Sequence, residues 1–245
     1  METSDCPPWL LLPGHLCDAR MWISLRSTLT AAGAEALDAD LTRDDTVNGM
    51  ARRALDEHGG PTVLVGFSMG GMVALRMAAL APERVVGMVL VDTNAAPDLP
   101  ERSIARIEQQ AEARAGRLHR VVVDSLVPHY LSPANRGRRD LTDLITDMAD
   151  DAGPDTFVRQ SEAIRLRPDA RPTLKDVQCP VLVAAGEEDV LCPPDWQRFL
   201  AAALPQSQLR LVKDAGHFMP IEQPDVLSSV VTLWGAAHKF LNATA

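Results

Sequence analysis

The sequence has no excess of basic residues: 24 Lys and Arg stand against 33 Asp and Glu, a formal net charge of −9. Phosphate binding needs a concentrated basic face, so no nucleic-acid partner is expected. The same balance gives no support for adhesion to an anionic membrane surface. Nor does any apolar run approach the roughly 18 residues of a membrane span, so no membrane association is expected. The first residues, Met1-Glu2-Thr3-Ser4-Asp5-Cys6-Pro7-Pro8, are acidic where a secretory leader carries positive charge, which predicts a cytoplasmic location. Cysteine is also sparse. Cys6, Cys17, Cys179 and Cys192 are widely spaced with no CxxC pair, as expected of free thiols in a reducing compartment. No histidine lies at ligand spacing from them, so neither a metal site nor a cofactor is expected.

What is present is an ordinary globular composition, 46 % hydrophobic and 23 % charged in 245 residues, enough for one sizeable α/β domain. Short apolar runs end repeatedly at a turn residue: Trp9–Leu12 before Pro13-Gly14, Thr62–Val65 before Gly66, Val85–Val91 before Asp92, Val181–Ala185 before Gly186, and Leu209–Val212 before Asp214. Runs of this kind predict strands of a mainly parallel sheet with both faces covered by helices. Met69–Ala81, stopped by Pro82, predicts a helix, and so do the apolar spacings of three and four between Asp225 and about Leu241. The stretch from Pro97 to Pro172 lacks strand-like runs and holds 12 Arg, no Lys and 13 acidic residues. It predicts a helical cap over residues 97–172, with helices near Ile104–Arg117 and Leu141–Ala149, inserted into a core formed by 1–96 and 173–245.

Gly66-Phe67-Ser68-Met69-Gly70-Gly71 follows a predicted strand and opens a predicted helix. A nucleophilic serine has to stand at such a sharp turn, with only very small residues two positions away on each side. The helix N-terminus directs backbone N–H groups at charge developing nearby. Ser68 is therefore the candidate nucleophile. Of the six histidines, His217 follows the last strand in a glycine-containing loop, at the same sheet edge as Ser68, and is the candidate base. Asp189, in the Gly186-Glu187-Glu188-Asp189 loop after a late strand, is the candidate acid, with Asp92 as runner-up. The oxyanion donors expected are the backbone N–H of Met69 and that of His15, or alternatively Leu16, in the Pro13-Gly14-His15-Leu16 turn. Leu16, Tyr130 and Phe218 are expected against the substrate. Arg165, Arg167 and Arg171 could bind a substrate carboxylate, or pair with neighbours such as Asp169.

These residues together resemble the α/β-hydrolase superfamily over almost the full length. The resemblance rests on Leu11-Leu12-Pro13-Gly14 with Trp22 downstream, Gly66–Gly71, Gly186–Asp189 with Pro193, and Gly216-His217 before Glu222-Gln223-Pro224. Among subgroups the chain is most similar to small bacterial carboxylesterases and enol-lactonases, although Pro13 replaces a histidine that many relatives carry. The resemblance implies an α/β-hydrolase fold, with Ser68, Asp189 and His217 in the chain order expected of its triad. It also implies hydrolysis of a small ester or lactone. A serine at the nucleophile position, and not an aspartate, excludes the dehalogenase and epoxide-hydrolase chemistries of the fold. Fold alone does not fix the reaction. Two other readings stand beside hydrolysis: a cofactor-independent lyase or oxygenase using His217 and Asp189 to abstract a proton, and a hydrolase-like ligand receptor.

Overall fold

The computed structural model describes residues 6–241, so Met1–Asp5, on which the leader reading chiefly rests, lie outside the described residues. Six strands form one sheet, paired in parallel throughout: β1 (Trp9–Leu12), β2 (Ala36–Asp38), β3 (Thr62–Phe67), β4 (Val85–Val91), β5 (Val181–Gly186) and β6 (Ser207–Val212), in the order β2-β1-β3-β4-β5-β6. The chain thus has the α/β-hydrolase fold. The apolar runs mark five of these strands. The sixth, β2, escapes them because it is a three-residue edge strand, partly exposed and ending in Asp38.

The strand alternation feeds two cores. Leu11, Val63, Val65, Val89, Leu182 and Ala184 point to one face. Leu10, Leu12, Leu64, Leu90, Val181 and Val183 point to the other. Three helices precede β4: α1 (Ile23–Ala31), α2 (Val47–Glu57) and α3 (Met69–Leu80). Thr46 caps α2, its hydroxyl accepting from Gly49 N at 3.0 Å. Between β4 and β5 lie α4 (Pro100–Glu112), α5 (Leu118–Val121) and α6 (Arg139–Arg165), with no strand. After β5 come α7 (Pro194–Ala203), α8 (Met219–Glu222) and α9 (Pro224–Ala237). α1 and α9 cover the first face through Leu25, Leu29, Leu227 and Trp234. α2, α3 and α7 cover the second through Met50, Val73 and Leu200.

The segment between β4 and β5 departs from the periodicity in two places. α4 starts at Pro100, with proline in the first turn where its missing N–H costs nothing, and passes beyond Glu112 into a wider turn at Ala113–Arg117 where Gly116 has φ +79°. α6 runs on to Arg165 across an interruption at Gly153-Pro154, which hides the continuity from a reading by helix breakers. Among the described residues no helix is long and apolar enough to cross a membrane.

Candidate active site

Ser68 sits between β3 and α3 with φ +50° and ψ −111°, a conformation few non-glycine residues adopt. The turn is held from three sides. Ser68 N donates to Val91 O at 2.9 Å, and Thr93 Oγ1 donates to Ser68 O at 2.6 Å. The third support is close backbone packing: a Cβ on Gly70 would lie 2.0 Å from Leu12 O, and one on Gly66 2.5 Å from Gly70 O. Glycine is therefore required at both positions by space.

β6 leads into the loop that carries His217. Its Nε2 lies 3.0 Å from Ser68 Oγ and its Nδ1 2.9 Å from Asp189 Oδ2. The loop is fixed by its backbone: His217 N donates to Tyr130 O at 2.8 Å, and Gly216 N donates to Glu222 Oε1 at 2.8 Å. The other Glu222 oxygen accepts from Ser132 N at 2.8 Å and Asn135 Nδ2 at 3.0 Å. The imidazole packs on Phe67, ring centres 5.2 Å apart. In the sequence Glu222 carries no mark beyond its place in Glu222-Gln223-Pro224. Its strutting role becomes visible only when the turn of residues 130–135 is folded against it.

Asp189 Oδ1 accepts from the backbone N–H groups of Leu191 at 2.7 Å and Cys192 at 2.9 Å. Burial works to raise the Asp189 carboxyl, but the charge and hydrogen bond of His217 and these two donors outweigh it and hold it below the usual range. Asp92 lies behind. Its Oδ1 accepts from Gly186 N at 2.9 Å, and its Oδ2 has no partner among the described residues. Burial and the neighbouring Asp189 charge push its carboxyl well above the usual range. The structure places Asp189, not Asp92, against the imidazole.

At the expected oxyanion position, neither His15 N nor Met69 N has an acceptor among the described residues. Leu16 N is taken, donating to Gln160 Oε1 at 2.8 Å, which removes the Leu16 alternative as a donor. The Leu16 side chain packs among Leu118, Val121 and Phe157 and is not on the cavity wall, contrary to its expected contact with substrate. Tyr130 and Phe218 do line the cavity, whose volume is about 450 Å³ and which also holds Ser68, His217 and His15. The His15 imidazole is pushed down to about 3, chiefly by burial and then by the Arg106 charge, with the Phe157 backbone opposing. It is neutral, and its Nε2 has no partner among the described residues.

Of the arginines singled out by sequence, Arg165 pairs with Glu162 and Arg171 with Asp169, each at 2.6 Å. Arg167 lines the cavity but is bound to Asp98 at 2.8 Å. Asp98, Arg102 and Arg106 also line it, and no spacing in the sequence marks them. Donor atoms of Asp189, Cys192 and His217 lie within 4.8 Å of one another. Burial and then the Asp189 charge push the Cys192 thiol up, which opposes a thiolate ligand, and both imidazole nitrogens are already engaged. The arrangement suits a hydroxyl that can give its proton to an imidazole oriented by a carboxylate.

Comparison with known proteins agrees with this architecture. A family model described as "Alpha/beta hydrolase family" matches residues 9–230. A thermophilic esterase from Thermogutta terrifontis, solved with malate bound, superposes with a TM-score of 0.87 at 28 % identity, over 95 % of this chain and 90 % of that one. The enol-lactonase from Burkholderia xenovorans LB400 shares the fold, with a TM-score of 0.84 at 21 % identity over 96 % and 93 % of the two chains. The protein named "Putative carbamate hydrolase RutD" of Pseudomonas savastanoi pv. phaseolicola is 27 % identical over 91 % of each chain.

Proposed function

This chain belongs to the alpha/beta hydrolase family, and from that premise we propose that it is a serine hydrolase cleaving a small carboxylic ester or lactone through an acyl-serine intermediate. The observation that carries the reading is the hydrogen-bonded series from Ser68 Oγ through His217 to Asp189, at 3.0 and 2.9 Å. In this mechanism His217 Nε2 takes the Ser68 proton as Oγ bonds to the substrate carbonyl carbon. The carbon–oxygen bond to the leaving group then breaks, and His217 returns the proton to the departing alkoxide. Water, deprotonated by the same imidazole, adds to the acyl-serine and releases the acid with Ser68 restored. Asp189 fixes the tautomer that presents Nε2 as acceptor and stabilises the imidazolium.

The N–H groups of His15 and Met69 hold the oxyanion of the tetrahedral intermediate. Their lack of another acceptor supports the assignment, and one such donor contributes roughly 3–4 kcal/mol to the transition state. Residues 97–172 serve as a cap on the remaining core, bringing Tyr130 to the site. The esterase and carbamate-hydrolase relatives at 28 % and 27 % identity favour attack on an acyl carbonyl.

The test is turnover of p-nitrophenyl butyrate together with labelling by a fluorophosphonate. Ser68→Ala is expected to abolish labelling and lower kcat by at least about a thousandfold. Undiminished turnover by that variant would instead favour proton abstraction by His217 and Asp189 without an acyl-serine. Product released once per protein and no further would favour a ligand receptor.

A further inference from the structure

In a chain whose net charge is −9, the cavity beside Ser68 goes the other way. Arg102, Arg106 and Arg167 all line it, and Asp98 is the one carboxylate among its described lining residues. Three guanidinium groups thus share the cavity wall with one carboxylate, and the Asp189 carboxylate stands behind His217. The four lining groups are not equivalent. Asp98 is only 2 % exposed and is occupied on both oxygens, by Arg167 Nη1 at 2.8 Å and Arg106 Nε at 2.9 Å. Arg167 is committed elsewhere too, with Nε on Ala96 O and Nη1 also on Ile164 O, each at 2.8 Å. It is the buried strut that neutralises Asp98.

Arg106 and Arg102 differ from it. Arg106 spends only its Nε, and its side chain is 19 % exposed. Arg102 spends only Nη1, on Leu191 O at 2.8 Å, and lies over the Trp196 ring at 5.6 Å from its centre. The remaining N–H groups of both have no acceptor among the described residues. The two residues stand one turn apart on α4, so they share a helix face, and like charges at that spacing repel. Each makes one hydrogen bond to the protein and lines a cavity shared with the apolar side chains of Phe67, Leu126 and Ile164 and with polar groups such as Asn94 and Gln109.

We propose that Arg102 and Arg106 bind a free carboxylate of the substrate, so that this hydrolase acts on an ester or lactone carrying a second, ionised carboxyl group. The proposal rests on the acyl-serine reading above. Guanidinium groups present paired donors that match a carboxylate, and in a half-buried site salt screens the interaction weakly. The carboxylate could belong to the acyl part or to the leaving alcohol, and both place the same group in the cavity.

Two substrate pairs separate these sources: monomethyl adipate against methyl hexanoate, and the butyrate ester of glycolate against ethyl butyrate. The wild-type protein is expected to favour the anionic member of at least one pair by about tenfold or more in kcat/KM, with the effect in KM. The pair that shows it locates the carboxylate. Arg102→Gln, which leaves the Asp98 ion pairs intact, and Arg106→Gln are each expected to reduce that preference severalfold. Arg171→Gln, a surface residue paired with Asp169, should leave it unchanged. Adipate dianion alone should bind the wild-type protein in calorimetry and bind about tenfold more weakly to Arg102→Gln.

Equal cleavage of both members of each pair, or a preference that survives both Arg102→Gln and Arg106→Gln, overturns the carboxylate proposal and leaves the serine-hydrolase reading standing. Failure to cleave any ester, with no fluorophosphonate label on Ser68, overturns both.

Discussion

The sheet with its site loops and the helical segment between β4 and β5 solve the same problem, holding side chains in place, by opposite means. In the sheet region backbone is packed on backbone. A Cβ on Gly186 would lie 2.2 Å from Ala215 O, one on Gly66 2.5 Å from Gly70 O, and one on Gly70 2.0 Å from Leu12 O. In the segment between β4 and β5, Gly116, Gly137 and Gly153 have nothing within 4 Å of an added Cβ. Order there comes from side chains instead: apolar packing of Leu118, Val121, Val122 and Phe157, with surface pairs such as Arg117–Glu112 and Arg138–Asp140 around it. Exposed pairs of this kind contribute little each. The difference teaches that the groups in line with Ser68 are fixed by contacts that admit no substitution, whereas the wall opposite them is fixed by contacts that can be exchanged singly.

The comparison breaks most visibly at its glycines. Gly70→Ala is expected to destabilise the protein by more than about 4 kcal/mol, because neither the Leu12 carbonyl nor α3 can retreat. Gly137→Ala should change stability by no more than about 0.5 kcal/mol. Denaturant titration of the two variants decides this, and equal losses would erase the distinction.

Glu222 tests the seam between the regions, since it joins Gly216 of the site loop to Ser132 and Asn135 beyond α5. Glu222→Gln turns one accepting oxygen into a donor facing other donors. It should cost about 2 kcal/mol and lower kcat by loosening the His217 loop, with little change in KM. An unchanged kcat would show that the strut serves the fold alone.

The smallest effect concerns pH. Asp92 is raised in the folded state by burial and the Asp189 charge, so its protonated form is the one the fold favours. Above the ordinary carboxyl value of about 4, the unfolded chain ionises while the folded chain keeps its proton, and the wild-type protein loses stability as pH rises. Asp92→Asn removes that term and keeps an acceptor for Gly186 N. Its stability relative to wild type should therefore improve from pH 4 upward, level off once the folded carboxyl itself ionises, and vanish in acid. Thermal melts across pH measure the difference directly.

Much of the sheet region was legible because its signals are local. Unbroken apolar runs betray β1, β3, β4 and β5, which are buried along nearly their whole lengths, and the Ser68 and His217 turns carry their glycines within a few residues. β2 lacked that signal, being short and half solvated. The cavity residues Asp98, Arg102 and Arg106 were illegible for another reason. A charged residue on a helix looks the same in sequence whether it faces water or a pocket, and only the placing of α4 at the cavity distinguishes them. Gln160 is similar: its partners Leu16 and Leu41 are 144 and 119 positions away in the chain.

Gln160 has a consequence for how such a protein could be re-engineered. Its carboxamide receives the N–H of Leu16, held at φ +57°, and gives its own N–H to Leu41 O at 3.1 Å, so α6 braces the turn that presents the His15 amide. A chimera that replaced the segment between β4 and β5 would take this brace away, since Gln160 lies on α6. Such a graft therefore requires a replacement carboxamide at the same spot, or the turn at residues 13–16 loses its anchor.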